Sequence, residues 1–269
     1  STCMNKSRRI FDDAKIRNIT QGSIFNGGTS CLYTHYNVLG VIITPRCDIA
    51  QHKVPYYYYL PMVSFEDWKK VEFPGLYIAK LKNDTLSRLR NELKNIRVSE
   101  SLVNRYTAKK IREIVETQNG SIPKNLNKTL TQLYDVEQFE EKKINFSKLV
   151  ETYGGPKKEL LKEIAANKNL NYYLLEGVED FWLIRMRELN RLTPSVLIRL
   201  QNGIDSKLTD LELSENDICQ YEGELFLPLY EIKSPYIEHI MQHFLSSFNR
   251  IGIEDMHKDV INDFLNSNI

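Results

Sequence analysis

The chain has 269 residues, of which 42% are hydrophobic and 26% charged, and its formal net charge is +1. This length can bury a substantial core, and the composition is that of an ordinary globular protein. The four cysteines are far apart in a long chain, which argues against a disulfide framework and favours a reducing cytoplasm, and no run reaches the roughly 20 apolar residues of a membrane span. The N-terminus has no apolar region typical of a secretory signal, so we expect a cytoplasmic protein that binds no membrane.

The first residues predict short elements. Residues 1–18 have a weak apolar stripe that predicts a short helix. Gly22-Ser23-Ile24 begins a first strand, and Cys31-Leu32-Tyr33 predicts a second one.

The main strand of the N-terminal part comes next. Residues 40–43 are uncharged and rich in β-branched side chains, which is typical of a strand covered on both faces, and Pro45 ends it because proline has no N–H to donate. Residues 56–63 begin with four tyrosines and predict a neighbouring strand. Alternation places two tyrosines on each face, so we expect one packed face and one exposed face rather than a base-stacking platform.

The middle of the chain changes character. Residues 65–169 are rich in Lys, Glu, Leu and Asn and poor in Gly, with leucines at helical spacing, so they predict a series of helices. The β-character returns at residues 172–175 and 181–186. Residues 226–230 predict a last strand at the edge of the sheet, because Pro228 cannot donate to a central ladder.

The C-terminal part predicts two helices. Ser234 and Pro235 are good first residues of a helix, and apolar residues follow at i, i+4 spacing up to Phe248. Gly252 would end this helix, and residues 254–266 form a second amphipathic pattern.

Together these elements predict an α+β protein. We expect a small, mostly antiparallel SH3-like β-barrel or curled sheet, split by a long helical insertion and closed by C-terminal helices. The first part of the barrel covers residues 19–64 and the insertion covers 65–169. The second part covers 170–233, and the closing helices cover 234–269.

Reactive side chains follow the end of the main strand. Arg46, Cys47, Asp48 and His52 lie within seven residues, on a segment held by a buried strand. A thiolate needs a base or a positive field, and His52 or Arg46 could supply either. The alternative is a structural one, in which Cys47 is packed and Asp48 caps the turn that begins at Ile49.

A metal site has weaker support. His239 and His243 lie at i, i+4 on the predicted helix, and with Cys47 and His52 they could supply four zinc ligands. The Glu of an H-E-x-x-H motif is absent, so two ordinary histidines remain the main alternative. We therefore predict no cofactor and keep zinc as a minor alternative.

The charge is unevenly distributed. Residues 80–113 contain ten Lys or Arg and four Asp or Glu, a net +6, whereas residues 203–269 contain four and thirteen, a net −9. The basic segment and two arginines of the 181–186 strand and its end could bind a nucleic acid. The candidate residues are Arg88, Arg90, Lys94, Arg97, Lys109, Lys110, Arg185 and Arg187. Alternatively, these are solvated helix faces, and Arg185 or Arg187 pairs with Glu188 or with an acid of the C-terminal segment.

Residues 21–63 resemble the core of the SH3-like barrel of PemK/MazF-type endoribonuclease toxins. In that family a G-[DS]-I strand opens the barrel, and a V-V-[IL]-[ST]-P strand ends in a functional Ser or Thr. Gly22-Ser23-Ile24 and Val41-Ile42-Ile43-Thr44-Pro45 match these patterns, so the resemblance implies a functional Thr44. Leu39-Gly40 stand where the family has an Arg-Pro pair that includes a main catalytic arginine.

A second resemblance is to uncharacterised bacterial proteins often encoded near phage-defence genes. They combine a G-[DS]-I opening, a V-[IV]-[ST]-x-x-C-D-[IL] strand end and a C-terminal S-P…F…F-x-R-[IV]-G helix. This chain has Cys47-Asp48-Ile49 at the strand end, and Ser234-Pro235-Tyr236 followed by Arg250-Ile251-Gly252. The resemblance marks a family and implies no particular reaction.

Two hypotheses remain open. The first is a bacterial defence or toxin-like protein that acts on RNA or another nucleic acid, with Thr44, Arg46, Cys47, Asp48 and His52 in its site. The second is a non-catalytic sensor or scaffold that binds a partner protein of the same operon. The absent arginine favours the second hypothesis, and the basic segment favours the first.

Overall fold

The computed structural model describes residues 10–13, 18–177, 180–204, 208–219 and 225–248. Within these ranges the fold is α+β, with eight strands in one curled antiparallel sheet and helices packed around it. The fold class that the sequence predicted, a curled antiparallel sheet combined with helices, is confirmed. No helix in the described ranges has both the length and the apolar character required to cross a membrane.

All strand pairs of the sheet are antiparallel, and the hydrogen-bonded order is β1-β8-β2-β3-β4-β6-β5, with β7 also paired to β4. The strands are β1 (Phe11–Asp13), β2 (Ser23–Asn26), β3 (Leu39–Ile42), β4 (Tyr57–Ser64), β5 (Tyr172–Glu176), β6 (Phe181–Arg185), β7 (Asn190–Leu192) and β8 (Pro228–Ile232).

The helices lie mainly between β4 and β5. They are α1 (Arg46–Gln51), α2 (Phe65–Val71), α3 (Phe73–Asn95), α4 (Ala108–Asn119), α5 (Lys124–Glu140), α6 (Phe146–Thr152), α7 (Gly155–Ala165), α8 (Pro194–Asn202), α9 (Asp210–Glu215) and α10 (Tyr236–Phe248). A 3₁₀ helix (Glu100–Asn104) precedes α4.

The predicted main strand and its neighbour form the centre of the sheet. β3 is buried along its whole length and pairs with β4 in the register Val41 to Leu60. The tyrosines alternate as expected, because Tyr57 and Tyr59 are fully buried whereas Tyr58 is exposed. Gly40 is required in β3 because a Cβ there would overlap the ring of Phe25 on the neighbouring strand.

The two faces of the sheet are covered by different helices. Ile24, Leu39 and Met62 face the side on which Ile237 and Ile240 of α10 pack. Neighbouring residues such as Phe25 and Tyr59 face the other side, which α1 and α8 cover. This alternation follows from the two-residue period of a strand.

The helical insertion has two apolar cores. Trp68, Phe73 and Tyr77 pack with β5 and β6 next to the sheet. Farther along α3, Leu89 and Leu93 form a separate core with α4 and α5. The second half of α3 is therefore stabilised by other helices of the insertion.

Three local predictions were wrong. Phe11–Asp13 form strand β1 rather than helix, while most of residues 1–18 lie outside the described ranges. Residues 31–33 form turns instead of a strand. β8 is an inner strand that pairs with β1 on one side and β2 on the other. The strand tolerates its proline because Pro228 is the first residue and lies where the pairing with Phe25 becomes irregular.

The predicted helix after Ser234 is confirmed as α10, which begins at Tyr236. The Ser234 hydroxyl donates to Glu238 Oε1 at 2.9 Å. Gly252 and the predicted helix over residues 254–266 lie outside the described ranges.

Candidate functional site

The segment after β3 turns into the short helix α1, with Pro45 as its N-cap residue. Thr44 is 4% exposed, and its Oγ1 accepts a hydrogen bond from the Tyr58 backbone N–H at 2.7 Å. The side chain that the toxin resemblance singled out therefore bridges β3 and β4.

Cys47 and Asp48 lie in the first turn of α1. Cys47 is exposed, and its thiol donates to Asp48 Oδ1, with 3.6 Å between Sγ and the oxygen. The structural alternative considered for this pair, a packed cysteine, is not what is observed. Within the described part of the chain, the hydrogen bond that the Asp48 carboxylate accepts comes from the Cys47 thiol and not from the backbone of the helix.

Arg46 and His52 line one pocket of about 460 Å³. Gln201 of α8 and Glu231 of β8 also line this pocket. Glu231 is close to it because the last residues of β8 pair with the first residues of β2, at the end of the sheet where β3 also finishes. His52 Nδ1 lies 3.1 Å from the Tyr57 hydroxyl, whose pKa is raised by burial. The pocket thus combines a guanidinium, an imidazole and a carboxylate, groups that can bind a polar ligand and transfer a proton.

The described part of the structure does not group the weak zinc candidates into one ligand set. His243 Nε2 lies 3.1 Å from the Asn169 carbonyl oxygen, and its ring packs against Tyr173. His239 is exposed on α10. In the described ranges no three His, Cys, Asp or Glu side chains are grouped as metal ligands, so Cys47 and His52 do not join these histidines.

A buried charge cluster lies between β6 and the junction of α2 and α3. Arg185 Nε lies 2.7 Å from Glu72 Oε1, and Arg185 Nη1 forms a close ion pair with Glu188. Ser30 Oγ donates to Glu188 Oε2 at 2.7 Å, and the Tyr172 hydroxyl donates to Glu72. Arg185 thus pairs with Glu188, which was the alternative to nucleic-acid binding, and this partner set reduces the capacity of Arg185 to bind phosphate.

The tyrosines of this cluster are held in the protonated form. Burial, together with the nearby Glu72 carboxylate, raises the pKa of both Tyr33 and Tyr172. The Arg185 guanidinium lies over the Tyr33 ring, 5.4 Å from its centroid. The cluster therefore joins the sheet to the insertion through one guanidinium and two carboxylates.

Arg187 is the exposed member of the arginine pair. Its Nη2 donates to the Ser247 carbonyl of α10 at 3.4 Å. Arg187 also lines a cavity of about 280 Å³ with Cys31 and Asn171 beside the charge cluster. This arginine keeps donors for a ligand, whereas Arg185 is committed to carboxylates.

The six basic candidates of the insertion lie around its second apolar core. Arg88, Arg90 and Lys94 are on the second half of α3, Arg97 follows it, and Lys109 and Lys110 are in the first turn of α4. All are exposed except Arg90, which is half-buried and donates to Asn104 Oδ1 at 3.1 Å. They are remote in sequence from the residues after β3.

Comparison of the chain with protein-family models, curated proteins and solved structures gives no match. The two family resemblances therefore stay predictions.

Sequence reasoning missed part of these sites. Glu72, Ser30 and Tyr172 were not recognised, because single carboxylates and hydroxyls in helices and loops have no motif. Their only signal was Arg185, a charged residue in an otherwise apolar strand, which requires a buried partner. Glu231 and Gln201 were missed because their approach to Arg46 depends on the position of β8 and α8.

Proposed function

We propose that this protein binds nucleic acid through the basic tip, which we define as residues 88–128. The tip contains the end of α3, the 3₁₀ helix, α4 and the start of α5. It has ten Lys or Arg and four Asp or Glu, a net charge of +6. Clustered positive charge on a folded surface is the electrostatic footprint of a polyanion site.

The observation that supports this proposal most strongly is the lack of acidic partners at the tip. Among its described basic residues, only Lys110 has a carboxylate within 4.0 Å, that of Glu113. The lysines nearer the sheet differ, since Lys80 pairs with two acids of α7 and Lys82 pairs with Glu140. The charges of the tip are therefore available to phosphates.

An exposed aromatic residue supports binding of single strands. Tyr106 lies between the 3₁₀ helix and α4, next to Arg105, and it is 45% exposed. A tyrosine ring beside basic side chains can stack on an unpaired base while the cations contact the backbone phosphates. A duplex would not offer such a base, so we propose single-stranded RNA or DNA as the ligand class.

Any reaction on the bound strand is proposed for the residues after β3. Arg46 and His52 share a pocket, and Cys47 is exposed beside it in the same helix. Thr44 is engaged with β4 and supports the strand instead. A bacterial defence or toxin-like role, as the family resemblance implies, is part of this proposal.

Binding is tested by fluorescence anisotropy with a labelled single-stranded RNA and a matched duplex over a series of salt concentrations. Replacing Arg88, Lys94, Arg97 and Lys109 by Ala should weaken binding and lower the salt slope by about 0.7 for each lost phosphate contact. The matched control replaces four exposed lysines of α7 and the following turn, Lys157, Lys158, Lys162 and Lys168, by Ala. Equal losses in both variants, or no binding by the wild type, would contradict the proposal.

The stacking role of Tyr106 is tested separately. Tyr106→Ala should weaken single-strand binding by roughly 1–3 kcal/mol and leave duplex binding unchanged. Tyr134, another exposed tyrosine (44%), provides the control Tyr134→Ala. If the chain binds no nucleic acid at any salt concentration, the alternative of a module that binds a partner protein gains support.

The proposed reaction is tested by RNA cleavage and by growth arrest on expression. Cys47→Ala, Asp48→Ala and His52→Ala should abolish both effects at equal folded yield. Cys31→Ala is the control, because Cys31 is also a free, exposed cysteine. If wild type and variants all lack an effect, the catalytic part of the proposal is wrong while the binding part is still open to its own test.

A further inference from the structure

The curl of the sheet brings its two sides to one pocket. Phe11 of the edge strand β1 and Tyr230 of the adjacent β8 lie on one side of the sheet, while Trp182 of β6, with Gly177 and Asp180 before it, lies on the other. All of them line a pocket of about 430 Å³, which is within the size range of small-molecule sites. A flat sheet would hold these residues apart, so the pocket is a product of the curvature.

The pocket has an aromatic wall. The rings of Phe11 and Tyr230 are 6.0 Å apart between centroids and inclined by 49°, and the half-buried Trp182 faces the same space. The aliphatic side chains of β2, β3 and β4 that point to this face form its floor. Gly177 leaves room for Trp182, since a Cβ at Gly177 would lie 2.9 Å from Cδ1 of the indole.

Among the described residues that line this pocket, Asp180, which precedes β6, is the only charged one. One of its oxygens, Oδ1, accepts a hydrogen bond from the Phe181 N–H at 2.7 Å, which fixes the carboxylate at the rim. Lys233, which follows β8, is not part of the lining and pairs with Asp12 at 2.7 Å. The charge of the described lining is therefore −1.

We propose that this pocket binds a small organic cation that has an apolar body, with a quaternary ammonium group as the preferred head. The π faces of aromatic rings attract a cation, and this attraction increases when the cation leaves water. The carboxylate of Asp180 balances the charge, and the aliphatic floor accepts the methyl groups. A neutral apolar ligand would gain nothing from Asp180, and an anion would be repelled by it.

The probe is choline, compared with its neutral carbon isostere 3,3-dimethylbutan-1-ol. Binding to the full chain is followed by calorimetry and by the fluorescence of Trp182. The second tryptophan, Trp68, is fully buried in the insertion and away from the pocket. We expect choline to bind at least tenfold more tightly than the alcohol, and equal affinities would overturn the proposal.

Variants assign the binding to this pocket. Asp180→Asn removes only the charge of an exposed side chain, and we expect it to reduce choline affinity at least fivefold without affecting the alcohol. Trp182→Leu should abolish the fluorescence response and weaken binding. Phe181→Leu is the matched control, because Phe181 is the 47% exposed neighbour that does not line the pocket. Unchanged choline binding in Asp180→Asn would overturn the proposal even if Trp182→Leu failed to fold.

Discussion

Arg185 and Glu72 connect the sheet to the helical insertion. Arg185 Nε, on β6, lies 2.7 Å from Oε1 of Glu72 at the junction of α2 and α3, and the two side chains are 13% and 7% exposed. Glu72 also accepts a hydrogen bond from Tyr172 of β5. The direction in which α3 leaves the sheet is therefore tied to a buried pair of opposite charges.

Removing one member of this pair should destabilise the protein strongly. We expect Glu72→Gln to lower the free energy of unfolding by about 3 kcal/mol, because it leaves the buried Arg185 charge with Glu188 alone. The measurement is urea denaturation followed by circular dichroism. Lys82→Met, which breaks the exposed pair with Glu140, is the control and should change stability by less than about 1 kcal/mol. Similar losses of unfolding free energy in both variants would show that the buried pair contributes no more to stability than the exposed pair.

Thr44 should matter for stability through its hydrogen bond. Thr44→Val keeps the shape but leaves the Tyr58 N–H without its acceptor at 2.7 Å, so we expect a loss of roughly 1–3 kcal/mol. Thr44→Ser retains the hydroxyl and should remain within about 1 kcal/mol of the wild type. Both values come from urea titrations at neutral pH. A valine variant as stable as the serine variant would rule out this structural role.

Two glycines should respond to alanine in opposite directions. Gly40→Ala places a Cβ against the Phe25 ring and 2.9 Å from Tyr59 Cδ2, so we expect a loss of about 1–3 kcal/mol from overpacking. Gly75 lies in the first turn of α3 with open space around it. Gly75→Ala should stabilise the helix by about 0.5–1 kcal/mol, and thermal unfolding of the pair checks the difference.

Alkaline pH should destabilise the fold through its buried tyrosines. Burial raises the pKa of Tyr77 to about 12, compared with an ordinary value of 10.0, and the pKa of Tyr33 and Tyr172 is raised as well. Above pH 10 the unfolded chain loses these protons while the folded chain keeps them, so the stability present below pH 10 is lost as the pH rises. Each such tyrosine contributes a slope of about 1.4 kcal/mol per pH unit.

The measurement for this alkaline effect is urea denaturation at several pH values, together with near-ultraviolet absorbance of phenolate. Tyr77→Phe should lower stability at neutral pH, because its hydroxyl donates to the Tyr153 carbonyl at 2.7 Å, and should reduce the slope above pH 10. Gradual phenolate formation by all tyrosines in the folded protein would contradict this prediction.

Local patterns determined much of the architecture. The uncharged β-branched run before Pro45, the alternating tyrosines of β4 and the leucine spacing of α3 each express a preference that depends on near neighbours in sequence. For that reason β3, β4, the helical insertion and α10 could be predicted, and so could the α+β class. The same local reasoning located Arg46 and His52 and the basic residues of the insertion.

The tertiary structure decided which distant residues meet. Pro228 lies in an inner strand because β1 pairs with β8. Arg185 is not free to bind a ligand because it pairs with Glu72, which is 113 positions earlier in the sequence. The curl that brings Phe11 to the pocket of Trp182 is a property of the whole sheet. Such contacts form when apolar surface is buried collectively and charges find partners across the fold, and no short window of sequence contains that information.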